Sequence, residues 1–258
     1  MSALFSEEAL RRALRARPFR FYPQTASTQD DARVWALADP PAPHGAVVIA
    51  EAQSAGRGRQ GRRWQAARGT SLLFSVILRP RASAHLPQYM MVGGLAVHDV
   101  LSERIGAAVT LKWPNDVLIG GRKVCGVLAE GLWLGETLNA VILGVGINVR
   151  ANFGGPQEAT SVEEACDCAV DRLALLGEVL ARVDAWDAQV GTETLLAAWR
   201  ARLSTLGRRV IVYPRDGAPP FEGVAEAVGA DGALIVRLPS GERQPVRAAD
   251  VGVRADWG

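Results

Sequence analysis

The spacing of apolar residues along the chain predicts a mixture of helices and strands. Apolar residues three and four positions apart indicate amphipathic helices, and short runs rich in Val, Ile, Leu and Phe between turn residues indicate strands. Helix 89–105 is expected to cover one face of the β-sheet that the predicted strands form. The predicted helices cover residues 6–16, a segment that opens at Ser27, and residues 89–105, 171–190 and 192–203. The predicted strands of this part cover residues 46–53, 71–78, 109–112, 117–119, 123–130 and 138–149.

Beyond Gly207 the pattern changes to short strands separated by turns rich in glycine and proline. Such spacing predicts a small β-barrel as a second domain. We therefore divide the chain into domains of residues 1–206 and 207–258. The predicted strands of the second domain cover residues 210–213, 222–228, 233–238 and 243–246.

The stretch GRGRQGRRW at residues 56–64 lies between two predicted strands and fits neither a helix nor a strand pattern. Its glycines permit backbone conformations and close approaches that other residues disfavour. Its four arginines supply fixed positive charge. Packing does not explain this charge, whereas the binding of a phosphate or carboxylate explains it. We therefore interpret this stretch, the glycine-arginine loop, as a mobile anion-binding loop.

The glycine spacing also fits the G-x-G-x-x-G motif of dinucleotide-binding proteins. That motif needs a helix that opens at its last glycine and an acidic residue about 20 positions later. Here Gly61 is followed by a polar loop and strand 71–78, and no Asp or Glu occurs between Glu51 and Asp99. The sequence therefore argues against a dinucleotide-binding fold.

Composition and charge narrow the class of protein. The 258 residues are 48% hydrophobic and 22% charged, which are ordinary values for a globular protein. We find no apolar run of membrane-spanning length and no signal-peptide pattern, and therefore expect a cytoplasmic protein with no membrane partner. The net charge is only +2, but seven arginines and no acid lie between residues 52 and 98. That asymmetry indicates one anionic ligand site.

The three cysteines are unevenly placed and lack the spacing of metal ligands. We therefore expect reduced thiols at Cys166 and Cys168, with neither a disulfide framework nor a zinc site. Cys125 is interpreted as a packing residue.

Polar and glycine residues also fall at the ends of predicted elements. Ser27 and Asp30 fit a capping box, although Ser27 could serve as a helix cap and nothing more. Lys123 begins a strand after a tight glycine turn. Gly144 and Gly146 indicate a close approach to the backbone or, alternatively, a bulge.

Four motifs occur in order, namely GRGRQGRRW, KWPNDV, GRKVCGVLAE and GVGINV, and the predicted β-barrel follows them. Together they closely resemble the biotin protein ligases over nearly the whole chain. The resemblance implies an α/β (α+β) fold: a central mixed β-sheet flanked by helices, similar to the class II aminoacyl-tRNA synthetase core, with a C-terminal SH3-like β-barrel. It also implies the reaction, in which biotin and ATP give biotinyl-5′-AMP and a lysine of a biotin carboxyl carrier protein takes the biotinyl group.

The resemblance further implies a biotin site by motif position. Lys123 matches the lysine that reaches the biotin carboxylate and the α-phosphate. Gln29 stands where the family commonly has Asn, so the family role does not carry over to it directly. The implied biotin-binding residues are Ser27, Thr28, Gln29, Gln53, Arg57, Gly58, Arg59, Lys123, Gly144 and Gly146.

ATP and Mg²⁺ are the implied co-substrate and metal, and no tightly bound prosthetic group is expected. Asp116 is the carboxylate of the KWPND motif; it could hold Mg²⁺ or accept a proton from the carrier lysine, and the sequence leaves both roles open. Lys123, Arg59 and Asp116 form the expected catalytic set. The implied nucleotide-binding residues are Arg57, Arg59, Trp64, Lys112, Asn115 and Asn148.

Two other functions compete with this interpretation. A lipoate or octanoate protein ligase shares the core, but the GRGRQGR loop and KWPND argue against it. A nucleic-acid-binding module would be strongly basic and rich in aromatic residues, whereas aromatic content here is 6%. The ligase pattern begins within the first 30 residues, so we expect a ligase without an N-terminal DNA-binding domain and without a DNA partner. A homodimer is left open.

Overall fold

The computed structural model describes residues 4–80, 82–106, 109–150, 159–214, 218–247 and 249–253. Its helices are α1 (Glu7–Leu14), α2 (Thr28–Ala36), α3 (Gln88–Ile105), α4 (Val162–Cys166), α5 (Arg172–Asp187) and α6 (Glu193–Arg202). Its strands are β1 (Phe19–Tyr22), β2 (Ala46–Ala50), β3 (Ser71–Leu78), β4 (Val109–Lys112), β5 (Asp116–Ile119), β6 (Arg122–Leu134), β7 (Thr137–Asn148), β8 (Arg209–Pro214), β9 (Phe221–Val228), β10 (Leu234–Arg237), β11 (Arg243–Val246) and β12 (Ala249–Val253).

The first seven strands form one sheet in the order β1-β2-β3-β7-β6-β5-β4. β1 runs parallel to β2, and the other neighbouring pairs are antiparallel. The predicted mixed sheet is therefore confirmed. β6 and β7 are its longest strands, with 13 and 12 residues, and they pair along most of their length. Side chains on these two strands consequently project from a well-supported frame.

Helices cover both faces of this sheet. Val47 and Ile49 of β2 belong to an apolar cluster that includes α3 and α5, whereas Ala46 and Val48 belong to a second cluster that includes α2. Because successive residues of a strand point to opposite faces, the two clusters lie on opposite sides of the sheet. The prediction that helix 89–105 covers one face is confirmed.

Five strands form a second, antiparallel sheet in the order β11-β10-β9-β8-β12. Its four predicted strands are confirmed, and β12, which has too few alternating apolar residues to predict, adds a fifth. Two hydrogen bonds of 3.0 Å join the two parts of the chain, from Trp113 Nε1 to the Gly232 carbonyl and from Arg200 Nε to the Val228 carbonyl. The boundary between residues 206 and 207 stays a prediction, and residues 254–258 of the second domain lie outside the described residues.

Some elements differ from the prediction. β1 and α4, with four and five residues, are too short to carry a clear periodicity. The structure pairs Cys166 with Cys168 in a disulfide, so the expectation of reduced thiols is wrong for this pair. Cys125 is buried, and burial raises the pKa of its thiol well above the ordinary value, as suits a packing residue. Among the described residues, no helix is long and apolar enough to cross a membrane.

A buried ion pair holds the two strand ends between which the glycine-arginine loop lies. Arg172 of α5 donates from Nη1 to Glu51 Oε2 at 2.9 Å and to the Ser71 carbonyl at 3.1 Å, and from Nη2 to Glu51 Oε1 at 3.0 Å. Both charged side chains are 1% exposed. The Phe5 ring packs against the guanidinium, 4.4 Å from its carbon. Arg172 therefore ties the end of β2 to the start of β3. The strand β2 itself ends at Ala50, three residues before the predicted end at residue 53.

Candidate active site

A cavity of about 440 Å³ opens beside β6 and β7, where the glycine-arginine loop, the start of α2 and the KWPND turn meet. Most of the predicted site residues come together here although they are distant in sequence. Asn148 is the exception. The predicted residues that line the cavity are Ser27, Thr28, Gln29, Gln53, Arg57, Gly58, Arg59, Trp64, Lys112, Asn115, Asp116, Lys123, Gly144 and Gly146.

One wall of the cavity is a hydrogen-bonded group of amides and hydroxyls at the start of α2. Gln53 Oε1 accepts from the Thr28 backbone N–H at 2.7 Å and from the Thr28 hydroxyl at 3.1 Å. The Thr28 hydroxyl lies 2.9 Å from Ser75 Oγ, which donates to Gln29 Oε1 at 3.0 Å. Ser27 Oγ accepts from the Gln29 N–H at 3.3 Å, so this residue caps α2 and also lines the cavity.

The two glycines of β7 admit close neighbours, as predicted. A Cβ on Gly144 would lie 2.5 Å from Gln29 Oε1, and a Cβ on Gly146 would lie 2.7 Å from the Trp64 ring. Real Cβ contacts are not that short. Gln29 Nε2 donates to the Ile142 carbonyl at 2.9 Å, which fixes the amide against the strand. Gln29 and Trp64 can therefore occupy the cavity wall only because β7 has no side chains at these positions.

The glycine-arginine loop folds back on itself through its own backbone. The Trp64 N–H donates to the Gly56 carbonyl at 2.9 Å, and the Gly58 N–H donates to the Arg62 carbonyl at 2.8 Å. Residues Arg59–Gly61 form a short 3₁₀ turn between these bonds. The loop thus has a defined conformation in which several of its residues line the cavity.

Two arginines connect this loop to the rest of the protein. Arg57 Nη1 donates to Asp30 Oδ1 at 2.8 Å, and its Nη2 donates to Glu130 Oε1 at 2.7 Å. Arg59 Nη1 donates to Asn115 Oδ1 at 3.3 Å. The Asp30 carboxylate, which was expected to complete a capping box, therefore binds the loop. Arg57, which was expected to meet a ligand carboxylate, meets two carboxylates of the protein.

Lys123 and Asp116 form an ion pair on neighbouring strands. Lys123 Nζ lies 2.7 Å from Asp116 Oδ1 and 5.7 Å from the centre of the Trp64 ring. The two side chains are 35% and 21% exposed, so the pair is partly sheltered from water. The predicted position of Lys123, at the start of a rigid strand, is confirmed. The ion pair holds the ammonium group in place at the cavity wall.

Asn115 and Asn148 have different surroundings. Asn115 Nδ2 donates to the Val127 carbonyl at 2.9 Å, which fixes this side chain at the cavity. Asn148 is 5% exposed, and its Nδ2 donates to the Thr160 carbonyl at 3.2 Å. It lies on the same face of β7 as Gly146, but its amide is occupied beyond the cavity. Asn148 does not line the cavity, and its predicted nucleotide contact stays a prediction.

The sequence did not indicate several residues that line the cavity. Tyr213 of β8 and Val251 and Gly252 of β12 belong to the second sheet, and Ser75 lies in the middle of an apolar strand. Their spacing carries no signal, since only packing of the second sheet against the first brings them to the site. Arg62 and Arg63 also line the cavity, and the arginine-rich motif was a sufficient signal for them.

The described residues contain no group of three or more His, Cys, Asp or Glu side chains arranged to hold a metal. Asp116 is the one carboxylate among the described residues that line the cavity. Mg²⁺ commonly binds through one or two carboxylates together with substrate phosphates and water. The cavity therefore suits a Mg²⁺ ion that arrives with a nucleotide.

Comparison with known proteins agrees with this geometry. The Biotin/lipoate A/B protein ligase family matches residues 21–148, and the Biotin protein ligase C terminal domain matches residues 205–254. The biotin–acetyl-CoA-carboxylase ligase of Paracoccus denitrificans is 38% identical over 221 residues, which cover 80% of this chain and 89% of that protein. The chain belongs to the biotin protein ligase family.

Further similarity supports the ligase assignment and its fold. The biotin–acetyl-CoA-carboxylase ligase of Mycobacterium tuberculosis is 37% identical over 243 residues, 88% of this chain and 86% of that protein. The solved structure of a biotin protein ligase from Aquifex aeolicus in complex with biotin and ATP superposes with a TM-score of 0.76 at 27% identity, and covers 93% of this chain and 99% of that one. The predicted ligase fold, with its second C-terminal sheet, is confirmed.

Proposed function

We propose that the chain is an ATP-dependent ligase that activates biotin as biotinyl-5′-AMP and transfers the biotinyl group to a lysine of a biotin carboxyl carrier protein. Family membership supports the reaction class, and the names of the Paracoccus and Mycobacterium ligases support a carboxylase as the target. The observation that carries the proposal is a single cavity lined both by the polar group around Thr28 and by the ammonium of Lys123.

The polar wall is the proposed site of the biotin ring. The ring carries a urea group, which needs both donors and acceptors of hydrogen bonds in a sheltered place. Thr28, Gln53 and Ser75 offer them in a connected arrangement. Gln29 is held by its own bonds to the strand, so we assign it the role of a wall beside the ring. Gly58, Gly144 and Gly146 leave room for the ligand.

The first chemical step joins two anions. An oxygen of the biotin carboxylate forms a bond to the α-phosphorus of ATP, the bond from that phosphorus to the β-phosphate oxygen breaks, and pyrophosphate leaves. Positive groups fixed at the point of approach lower this barrier. Lys123 is fixed by Asp116, and Arg59 is fixed near Asn115, so these two cations are proposed to stabilise the transition state.

The nucleotide is proposed to lie beside Trp64, Lys112 and Asn115. The Trp64 ring is a flat surface on which a base can stack. Asp116 would hold Mg²⁺ together with phosphate oxygens, and the ion would offset charge on the departing pyrophosphate. The proposed reaction uses no tightly bound prosthetic group.

The second step transfers the biotinyl group. The carrier lysine is mostly ammonium at neutral pH and must lose a proton before its nitrogen attacks. The new bond joins that nitrogen to the acyl carbon, and the bond from the acyl carbon to AMP breaks. Asp116, as the carboxylate in the described part of the cavity, is proposed to accept the proton.

The function is tested by mixing the purified protein with biotin, ATP and Mg²⁺ and measuring pyrophosphate release. We expect release that depends on biotin. Release that depends on lipoate or octanoate instead would assign the chain to the other ligases of this fold. Transfer is then measured by adding a purified carrier domain and detecting biotin on its lysine.

The setting of the enzyme is part of the same proposal. We propose that the ligase acts in the cytoplasm, where ATP is available as its co-substrate. We also propose that DNA is not a partner, because the net charge is only +2 and the aromatic content is only 6%.

Gly144→Ala is expected to weaken biotin binding. The added Cβ would meet Gln29 Oε1 at 2.5 Å, and Gln29 cannot move without losing its bond to Ile142. Displacing Gln29 would disturb the wall beside the biotin ring, and a loss of about 1.4 kcal/mol in binding would raise the KM for biotin about tenfold. Gly177→Ala is the matched control, since a Cβ there meets nothing within 4 Å. An unchanged KM for biotin in Gly144→Ala would remove Gln29 from the biotin wall.

Arg59→Gly is expected to release the adenylate early while still making it. The acyl phosphate is reactive toward water and amines, so the site must hold it until the carrier arrives. A charge-assisted hydrogen bond contributes roughly 1.5–3 kcal/mol, and losing one should speed escape about tenfold to a hundredfold. The measurement is biotin labelling of a bystander such as albumin. Loss of all activity without bystander labelling would give Arg59 a role in chemistry alone.

A further inference from the structure

We propose that Arg57 is a latch, a positioning residue that fastens the glycine-arginine loop in its closed conformation through Asp30 and Glu130 without contacting the ligand. The inference rests on the proposed function where it concerns the adenylate. Its structural part concerns the loop itself and can be tested without any ligand.

The contacts of Arg57 reach two elements that form the cavity. Asp30 lies in the first turn of α2, directly after Thr28 and Gln29, which line the cavity. Glu130 lies on β6, two residues beyond Leu128, which also lines it. By binding both carboxylates at 2.8 and 2.7 Å, Arg57 joins the loop to two walls of the same cavity.

The backbone bonds within the loop do not fasten it in this way. The backbone hydrogen bonds between Trp64 and Gly56 and between Gly58 and Arg62 hold the loop to itself, and they can move with it as a unit. Arg59 reaches Asn115 at the longer distance of 3.3 Å. The Arg57 contacts are shorter, and both join a guanidinium to a carboxylate, whereas the Arg59 contact joins a guanidinium to a neutral amide.

The charge around Arg57 argues against a direct ligand contact. Its guanidinium already faces two carboxylates, which leaves little net positive charge for a third anion. Moving it to a ligand would leave Glu130 without this partner, and Glu130 is only 23% exposed. Arg33 Nη2 also lies 3.9 Å from Glu130 Oε2, farther than Arg57 lies from Oε1. Glu130 is therefore the stronger arm of the latch, because Asp30 is 53% exposed and more screened by water.

Limited trypsin digestion of the ligand-free protein tests the latch. Glu130→Gln and Asp30→Asn leave every arginine of the loop in place, so cleavage within residues 57–64 reports how often the loop opens. We expect cleavage about threefold to tenfold faster in Glu130→Gln, with a smaller increase in Asp30→Asn. The matched control is Glu136→Gln, which removes the same charge from an exposed position in the β6–β7 turn. Equal rates in Glu130→Gln and Glu136→Gln would overturn the proposal.

Adenylate retention supplies the second readout. Preformed biotinyl-5′-AMP is expected to dissociate about threefold to tenfold faster from both Glu130→Gln and Arg57→Gln. The Arg57→Gln/Glu130→Gln double variant should be no faster than Arg57→Gln alone, because both changes remove the same contact. Two results would make Arg57 a ligand contact and overturn the latch. In the first, the increases in the dissociation rate caused by the two single changes multiply in the double variant. In the second, Arg57→Gln loses adenylate synthesis while Glu130→Gln keeps normal loop cleavage and normal synthesis. If the wild type makes no adenylate but Glu130→Gln still opens the loop, the latch stands and the proposed function fails.

Discussion

Lys123→Ala is expected to slow adenylate formation by about 10²- to 10³-fold, the effect typical of removing one positioned donor from a transition state. The ammonium is held 2.7 Å from Asp116 at the cavity wall, so its charge is in place before the reaction and needs little rearrangement. The fold should survive, because the side chain is 35% exposed and a partly exposed ion pair contributes about 1 kcal/mol or less. The measurement is biotin-dependent pyrophosphate release, with urea unfolding as the check on the fold.

Arg122→Ala is the matched control for this prediction. Arg122 is the neighbouring residue on β6 and pairs with Glu164 on the surface, where both side chains are more than a third exposed. It does not line the cavity. We expect its rate of pyrophosphate release to stay within about twofold of the wild type. Near-normal release by Lys123→Ala would exclude Lys123 from the mechanism.

Arg172→Met is expected to lower the free energy of unfolding by about 3–5 kcal/mol, since it leaves the charge of Glu51 buried without its partner. Methionine fills a similar volume, so the loss reflects the uncompensated carboxylate and not a cavity. The substitution also removes the hydrogen bond from Arg172 to the Ser71 carbonyl, so the start of β3 is no longer tied to the end of β2. Urea unfolding followed by fluorescence measures the change.

Two further variants separate charge from packing. Arg172→Met/Glu51→Gln removes both charges, and we expect it to regain part of the lost stability, because replacing both members of a buried pair costs less than removing one. Arg182→Met changes an exposed arginine on the same helix, which pairs with Glu103, and should cost less than about 1 kcal/mol. A loss below about 1 kcal/mol in Arg172→Met itself would show that the buried pair contributes little.

The candidate site was predictable where its residues lie in short motifs. Lys123, Asp116 and Arg59 were identified because they stand in motifs that resemble those of the biotin protein ligases, and Arg59 also lies in a loop whose charge packing does not explain. Asn148 was assigned to the nucleotide site by its place in the GVGINV motif, yet its amide binds the Thr160 carbonyl and the residue does not line the cavity. Strand periodicity gives the face of a side chain and says nothing about its partner.

The sequence by itself determined the type and order of most helices and strands, the glycine-arginine loop and the two-part organisation, since periodicity and turn residues act over a few neighbouring positions. The tertiary structure decided which charges meet. Arg57 binds Asp30 and Glu130, 27 and 73 positions away, and Arg172 binds Glu51, 121 positions away. It also decided that Tyr213 of the second sheet reaches the cavity. Such contacts depend on how strands are ordered and how helices pack across them, and no local pattern of residues encodes that arrangement.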